Sequence, residues 1–120
     1  MSNPFAYAEL HTQNPEAAKD FYRRLLDWRM TDNPTPKGVY TEIDPGEGVP
    51  GGLKRAAEAQ TTSHWLLYIR VADVKSATDR AKQLGAQALQ ELVAIPNEGC
   101  FSVFADPTGA VFGLWEKQGA

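Results

Sequence analysis

The order of strand-like and helix-like patterns predicts an α+β fold built from two similar βαβββ modules. Three observations carry this reading. An alternating strand near the N-terminus runs into a capped amphipathic helix, the same pair recurs half-way along, and short strands split by Gly- and Pro-rich turns follow each helix. The modules are expected at about residues 5–55 and 64–117, joined by a polar linker at about 56–63. All of this fits a single domain within the 120 residues.

Along Phe5–Thr12, Tyr7, Glu9 and His11 point one way while Ala6, Ala8 and Leu10 point the other, as strand geometry requires. Asn14 can cap a helix, and Pro15 suits its first position. Ala18, Phe21, Tyr22 and Leu25 then recur at spacings of three and four, giving an amphipathic helix to about Leu26. Glu16, Lys19, Asp20, Arg23 and Arg24 are expected on its outer face. Two short strands, Trp28–Thr31 and Val39–Ile43, are separated by the turn-rich stretch from Asp32 to Gly38. After a glycine-proline loop, Leu53–Lys54 makes a fourth short strand.

The second half repeats the order. His64–Val71 reads as a strand with Trp65, Leu67, Ile69 and Val71 on its apolar face. Asp73 can cap a helix through Val74, Ala77, Ala81 and Leu84, which Gly85 can stop. Ala88–Val93 and Cys100–Ala105 flank a turn at Pro96–Gly99, and Asp106-Pro107-Thr108-Gly109 leads tightly into Ala110–Lys117. Shifting the chain by 59 positions puts Asn14 on Asp73, Ala18 on Ala77, Asp20 on Asp79 and Leu25 on Leu84; at 61, Gly52-Leu53 falls on Gly113-Leu114.

Composition excludes several classes. A net charge of −3 without any basic run argues against a nucleic-acid partner. No stretch approaches the roughly 20 apolar residues of a membrane span, and Met1-Ser2-Asn3-Pro4 does not read as a secretory leader. The single Cys100 suits a reducing, cytoplasmic setting and reads as a small strand residue rather than a nucleophile. There is no Ser-His-Asp triad, P-loop or dinucleotide fingerprint.

Three segments bear on family. Phe21-Tyr22-Arg23-Arg24-Leu25-Leu26-Asp27-Trp28 is similar to a helix-end pattern in which Gly usually stands at the Asp27 position. Tyr68-Ile69-Arg70-Val71-Ala72-Asp73-Val74 looks like a second strand-to-helix junction. Asp106–Trp115 is similar to an Asp-Pro-x-Gly turn with its final strand. In this order they resemble the vicinal oxygen chelate superfamily, which includes glyoxalases, bleomycin-resistance proteins and dioxygenases. The resemblance implies an open, incomplete barrel around a cavity. Its metal-using members hold a divalent ion with four strand residues, and those positions carry over to Tyr7, Leu66, Gly113 and, loosely, the neighbourhood of Gly52. Leu66 and Gly113 have no donor atom, and Tyr is an uncommon ligand for hard divalent ions. No cofactor is therefore expected. A displaced metal site would have to draw on Glu9, His11, Glu42, His64 or Glu116, of which Glu116 should point away from the cavity.

Strand parity gives the inward set as Tyr7, Glu9, His11, Tyr40, Glu42, Tyr68, Arg70, Val103 and Trp115, aromatic walls with a few polar groups, as small-molecule sites have. Glu9 and Arg70 are candidates to pair and orient a polar ligand. The expected function is a metal-independent small-molecule-binding protein of sequestering or resistance type. The alternative is an enzyme of the lactoylglutathione-lyase type, or a related isomerase, epimerase or dioxygenase, with a displaced metal. A homodimer is expected to cover open sheet edges, with Trp28, Trp65 and Trp115 as possible contributors. A cavity completed by a partner chain is a third option.

Overall fold

A computed structural model of the chain describes residues 2–57 and 62–119. The elements run β1 (Phe5–Thr12), α1 (Pro15–Leu25), β2 (Arg29–Thr35), β3 (Gly38–Asp44), β4 (Gly51–Arg55), β5 (His64–Arg70), α2 (Val74–Gln83), β6 (Gln87–Ile95), β7 (Gly99–Ala105) and β8 (Val111–Lys117). This is the βαβββ order twice over. Part of the expected linker, residues 58–61, lies outside the described residues. Contacts divide the chain into one unit of Tyr7–Leu66 and another of Met1–Ala6 with Leu67–Ala120.

In the Tyr7–Leu66 unit the strands lie in the order β2-β3-β4-β1, with β1 parallel to β4 and the other pairs antiparallel. Asn14 caps α1 by accepting from the Ala17 N–H, and Leu10, Ile43 and Leu53 form a core against which Ala18, Tyr22, Trp28 and Met30 pack. Two expectations need correction. Lys19, expected outside, is only 4% exposed: its aliphatic stem is buried while its ammonium pairs with Glu16 and Asp32. Phe21 and Leu25, expected inside, are exposed. Strand β2 also runs through Asp32-Asn33-Pro34, which reads in sequence as a turn. Pro34 is tolerated because β2 ends the strand order and its missing N–H leaves no ladder bond unmade. The turn shrinks to Pro36-Lys37, with Gly38 at a φ of 115°.

In the other unit the order is β5-β8-β7-β6, with β5 parallel to β8. Asp73 caps α2 through the Lys75 and Ser76 N–H groups, and Glu116 Oε1 accepts from the Val74 N–H at 2.9 Å. Glu116 is thus committed to the helix start. Ile69 and Val71 pack with Ala77 and Ala81 on a core of Val74, Phe104 and Leu114. Leu84 is exposed, and so are Trp65 and Leu67 of β5, where Leu66 and Tyr68 are the buried positions. In the Asp-Pro-x-Gly turn, Asp106 Oδ1 accepts from the Thr108 and Ala110 N–H groups while Gly109 takes a φ of 96°.

Strand register gives the repeat a physical basis. In one unit Glu9 is opposite Gly52 and Leu10 opposite Leu53; in the other Tyr68 is opposite Gly113 and Ile69 opposite Leu114. These pairs are related by the same shifts, 59 for the first strand and 61 for the last, that the sequence shows. Part of the drift is taken up in β6, where register shifts between Ala88 and Gln90 and again between Gln90 and Val93 mark bulges. Leu92 sits there at a φ of 52°, and its N–H donates to Ser102 Oγ, which also bonds Thr78 Oγ1 at 2.8 Å.

Candidate functional site

One face of the Tyr7–Leu66 unit gathers the polar groups. Side chains two apart on a strand share a face, so Tyr7, Glu9 and His11 of β1 stand together. Register sets Gly52 and Lys54 of β4 beside Glu9 and His11, and Glu42 of β3 beside Gly52. Gly52 makes the arrangement possible. A Cβ there would run into the hydroxyls of Tyr40 and Tyr7, so the space a side chain would fill is held by two phenols.

The hydrogen bonds run as a chain. Tyr40 Oη donates to Glu9 Oε2 at 2.7 Å, and Tyr7 Oη lies 2.7 Å from Tyr40 Oη. Because Tyr40 has one hydroxyl hydrogen and gives it to Glu9, Tyr7 is the donor to Tyr40. Glu9 Oε1 is 2.7 Å from His11 Nε2. A carboxylate only accepts, so Nε2 carries the proton and Nδ1 of a neutral His11 presents a lone pair. No described residue bonds that nitrogen. The His11 ring stacks on His64, with centroids 5.0 Å apart and planes 21° apart. His64 is held in turn by Nδ1 donating to the Thr62 carbonyl at 3.0 Å.

Glu9 is 9% exposed. Burial alone would raise its pKa, but hydrogen bonds from His11 and Tyr40 and the charges of His11 and Lys54 outweigh it, holding the carboxyl below its ordinary range. Tyr40 moves the opposite way. Burial first, then the neighbouring Glu9 carboxylate and Tyr7, push its phenol far above the ordinary range, so it stays protonated and a donor. The pairing of a fixed carboxylate with an imidazole can orient that ring and fix its tautomer. Glu42 shares this face but is exposed.

The remaining predicted site residues lie in the other unit and also share one face. Tyr68 is opposite Gly113, Arg70 opposite Trp115, and Trp115 opposite Phe101. The Tyr68 ring fills the space a Gly113 side chain would need and meets Phe101 edge-to-face at 5.6 Å. Val103 is buried opposite Gly113, Trp115 is half-buried, and Arg70 is exposed. Glu9 and Arg70, expected as a pair, fall in separate units, and within its own unit Glu9 has each oxygen engaged by another group. Lys54 and Phe101 are absent from the sequence-based set. Parity could have found both, since Lys54 follows Gly52 by two and Phe101 precedes Val103 by two.

The donor set does not fit the superfamily's metal. Leu66 and both glycines offer no side-chain donor, and the room at Gly52 and Gly113 is taken by tyrosines. Among the described residues no group of three or more His, Cys, Asp or Glu side chains is arranged to hold a metal ion. Cys100 is half-buried, and burial with the nearby Glu116 charge raises its thiol pKa, which does not suit a nucleophile.

Residues 8–115 match the family model described as a glyoxalase-like domain. The chain is 35% identical over 117 residues to CFP32 of Mycobacterium bovis, a protein named as a candidate glyoxylase; the match covers 93% of this chain and 45% of that protein. It is 26% identical over 128 residues to the anthracycline biosynthesis protein DnrV of Streptomyces peucetius, covering 93% and 46%. The chain therefore spans less than half the length of these relatives. Methylmalonyl-CoA epimerase from Mycobacterium tuberculosis shares the fold, with a TM-score of 0.70 at 14% identity over 94% of this chain and 87% of that one.

Proposed function

The chain belongs to the glyoxalase-like domain family, and on that premise we propose that it is a small-molecule-binding module of sequestering or resistance type that works without a metal. The observation that carries this reading is the Tyr7–Tyr40–Glu9–His11 chain, a half-buried, internally bonded polar row whose two phenols take the room a ligating side chain at Gly52 would need. Within its own unit such a row offers the few oriented polar groups on which small-molecule recognition rests. The relatives support an organic ligand, since one is named for anthracycline biosynthesis and a fold neighbour is an epimerase of a CoA ester. No nucleic acid or membrane partner is proposed: the net charge is negative, and no described helix is long and apolar enough to cross a membrane.

Elemental analysis of protein purified without chelators, alongside native mass spectrometry for co-purified organic molecules, tests this. The expected result is no stoichiometric metal and a retained organic ligand. Stoichiometric zinc, nickel, iron or manganese that is lost from a Glu9→Ala, His11→Ala double variant would overturn it in favour of a metal-dependent lyase, isomerase or dioxygenase.

The Glu9–His11 pair favours a second reading, a metal-free enzyme that moves a proton, because a carboxylate-held imidazole is a common general base. We also propose a cytoplasmic homodimer, in which a second copy would cover the strands β2 and β6 that end the strand order in each unit.

A further inference from the structure

We propose that the face of the β5-β8-β7-β6 sheet turned away from α2 binds a planar aromatic anion, an aryl carboxylate seated on Trp115 beside Arg70 and Lys117. This names a ligand class for the small-molecule reading and rests on it, but no residue of the polar row contributes. Alternation along the strands defines the face. Ile69 and Leu114 pack in the core with α2, and Glu116 caps that helix, so Tyr68, Arg70, Gly113, Trp115 and Lys117 turn to the opposite side. Register places Arg70 beside Trp115, with Phe101 and Gly99 of β7 opposite Trp115 and Lys117. The floor of this face is built from rings. Tyr68 fills the room over Gly113 and meets Phe101 edge-to-face at 5.6 Å, and Trp115 Cη2 lies 2.8 Å from where a Gly99 Cβ would stand. Glycine there lets the indole lean over β7. Trp115 and Phe101 are half-buried, so both still present ring surface. Val93 and Ile95 of β6, opposite Phe101 and Gly99, extend the floor without adding charge.

Charge is segregated between the two sides of this sheet. Among the described residues of the unit, no acidic side chain stands on the Trp115 face. Asp73 and Glu116 cap α2, Asp79 is on α2, Glu91 reaches Lys82 of that helix, and Glu98 and Asp106 sit in turns. Arg70 and Lys117 are exposed, and neither side chain has an ion-pair or hydrogen-bond partner among the described residues. The chain carries a net charge of −3, yet here two unpaired cations flank an indole with no carboxylate on their face. The local field therefore favours an anion. A guanidinium takes a carboxylate in a two-pronged hydrogen bond, and a ring joined to that carboxylate stacks on the indole. Lys117, two residues beyond Trp115 and so about 7 Å along the strand, adds attraction without a fixed geometry.

The test titrates 2-naphthoate and its uncharged counterpart 2-naphthamide into the isotope-labelled chain, read by calorimetry and by amide and indole resonances. Naphthoate is expected to bind at least about tenfold more tightly than naphthamide, as one charge-assisted pair supplies. The Trp115 indole N–H and the Phe101 and Arg70 amides should shift, and added salt should weaken naphthoate alone. Arg70→Gln should cost about tenfold in naphthoate affinity and leave naphthamide unchanged, while Lys117→Gln should cost about two- to threefold. Both side chains are exposed, so neither change threatens folding. Lys75→Gln, the same charge change placed on α2, should have no effect. The proposal is overturned by equal affinity for the two compounds, or by no binding of naphthoate at millimolar concentration. It is equally overturned by an Arg70→Gln protein that binds naphthoate as wild type does, by an equal loss in Lys75→Gln, or by shifts confined to residues away from this face. The small-molecule reading is judged separately by the co-purified ligand, so the two can fail independently.

Discussion

Glu9 is acidic, nearly buried and stable there because each of its oxygens accepts a short hydrogen bond. Its depressed pKa means that the folded state holds the carboxylate more strongly than the unfolded chain does. The stability it contributes is full above its ordinary value of 4.5 and is lost as pH falls through the lower folded value. Tyr40 has the opposite sign. Its folded pKa is raised, so its contribution is full below the ordinary 10.0 and declines as pH rises past it. Melting temperatures of wild type, Glu9→Gln and Tyr40→Phe against pH should show this. The Glu9→Gln deficit shrinks on acidification below 4.5, and Tyr40→Phe loses less stability than wild type above 10. Gly52 is the other decisive residue. Gly52→Ala puts a methyl group where the Tyr40 and Tyr7 hydroxyls lie, which should cost about 1–3 kcal/mol in urea unfolding and displace Tyr40 from Glu9.

At the scale of elements, β6 shows how the second module accommodates extra length. Bulges absorb residues that β2 lacks, and the left-handed backbone at Leu92 is anchored by Ser102, whose side chain is fully buried. Ser102→Ala would leave the Leu92 N–H and Thr78 Oγ1 without that partner. A loss of about 1–3 kcal/mol is expected, with faster amide exchange at Leu92 as the local reading. The helices teach a related lesson. Spacing located α1 and α2 along the chain, yet Phe21, Leu25 and Leu84 face outward and Lys19 inward. Periodicity finds a helix, but the face it buries is set by the sheet it meets. Asp32 receives the Lys19 ammonium and the Thr41 hydroxyl, and that acceptor lies on a different strand, out of reach of any local pattern.

At the scale of the whole molecule, the proposed homodimer would let a second copy cover β2 or β6, the strands that end the order in each unit. Sedimentation equilibrium should return twice 13.2 kDa at micromolar concentration. A single-copy mass that persists at high concentration would count against the proposed homodimer. Exposed Trp65, 43% accessible, offers a fluorescence reading of the same event, as it meets Tyr22 and Trp28 edge-on within its own unit.

The doubled βαβββ order, the two capped helices and the Asp-Pro-x-Gly turn follow from the sequence alone, because each rests on contacts between chain neighbours that sterics and capping enforce wherever the pattern occurs. Parity likewise put Tyr7, Glu9 and His11 on one face. Only the tertiary structure decided what that face holds. Tyr40 and Glu9 are 31 residues apart, and they meet because β4 lies between their strands with a glycine where a side chain would otherwise stand. Register and an unfilled volume are properties of several strands at once, so no single stretch of sequence records them.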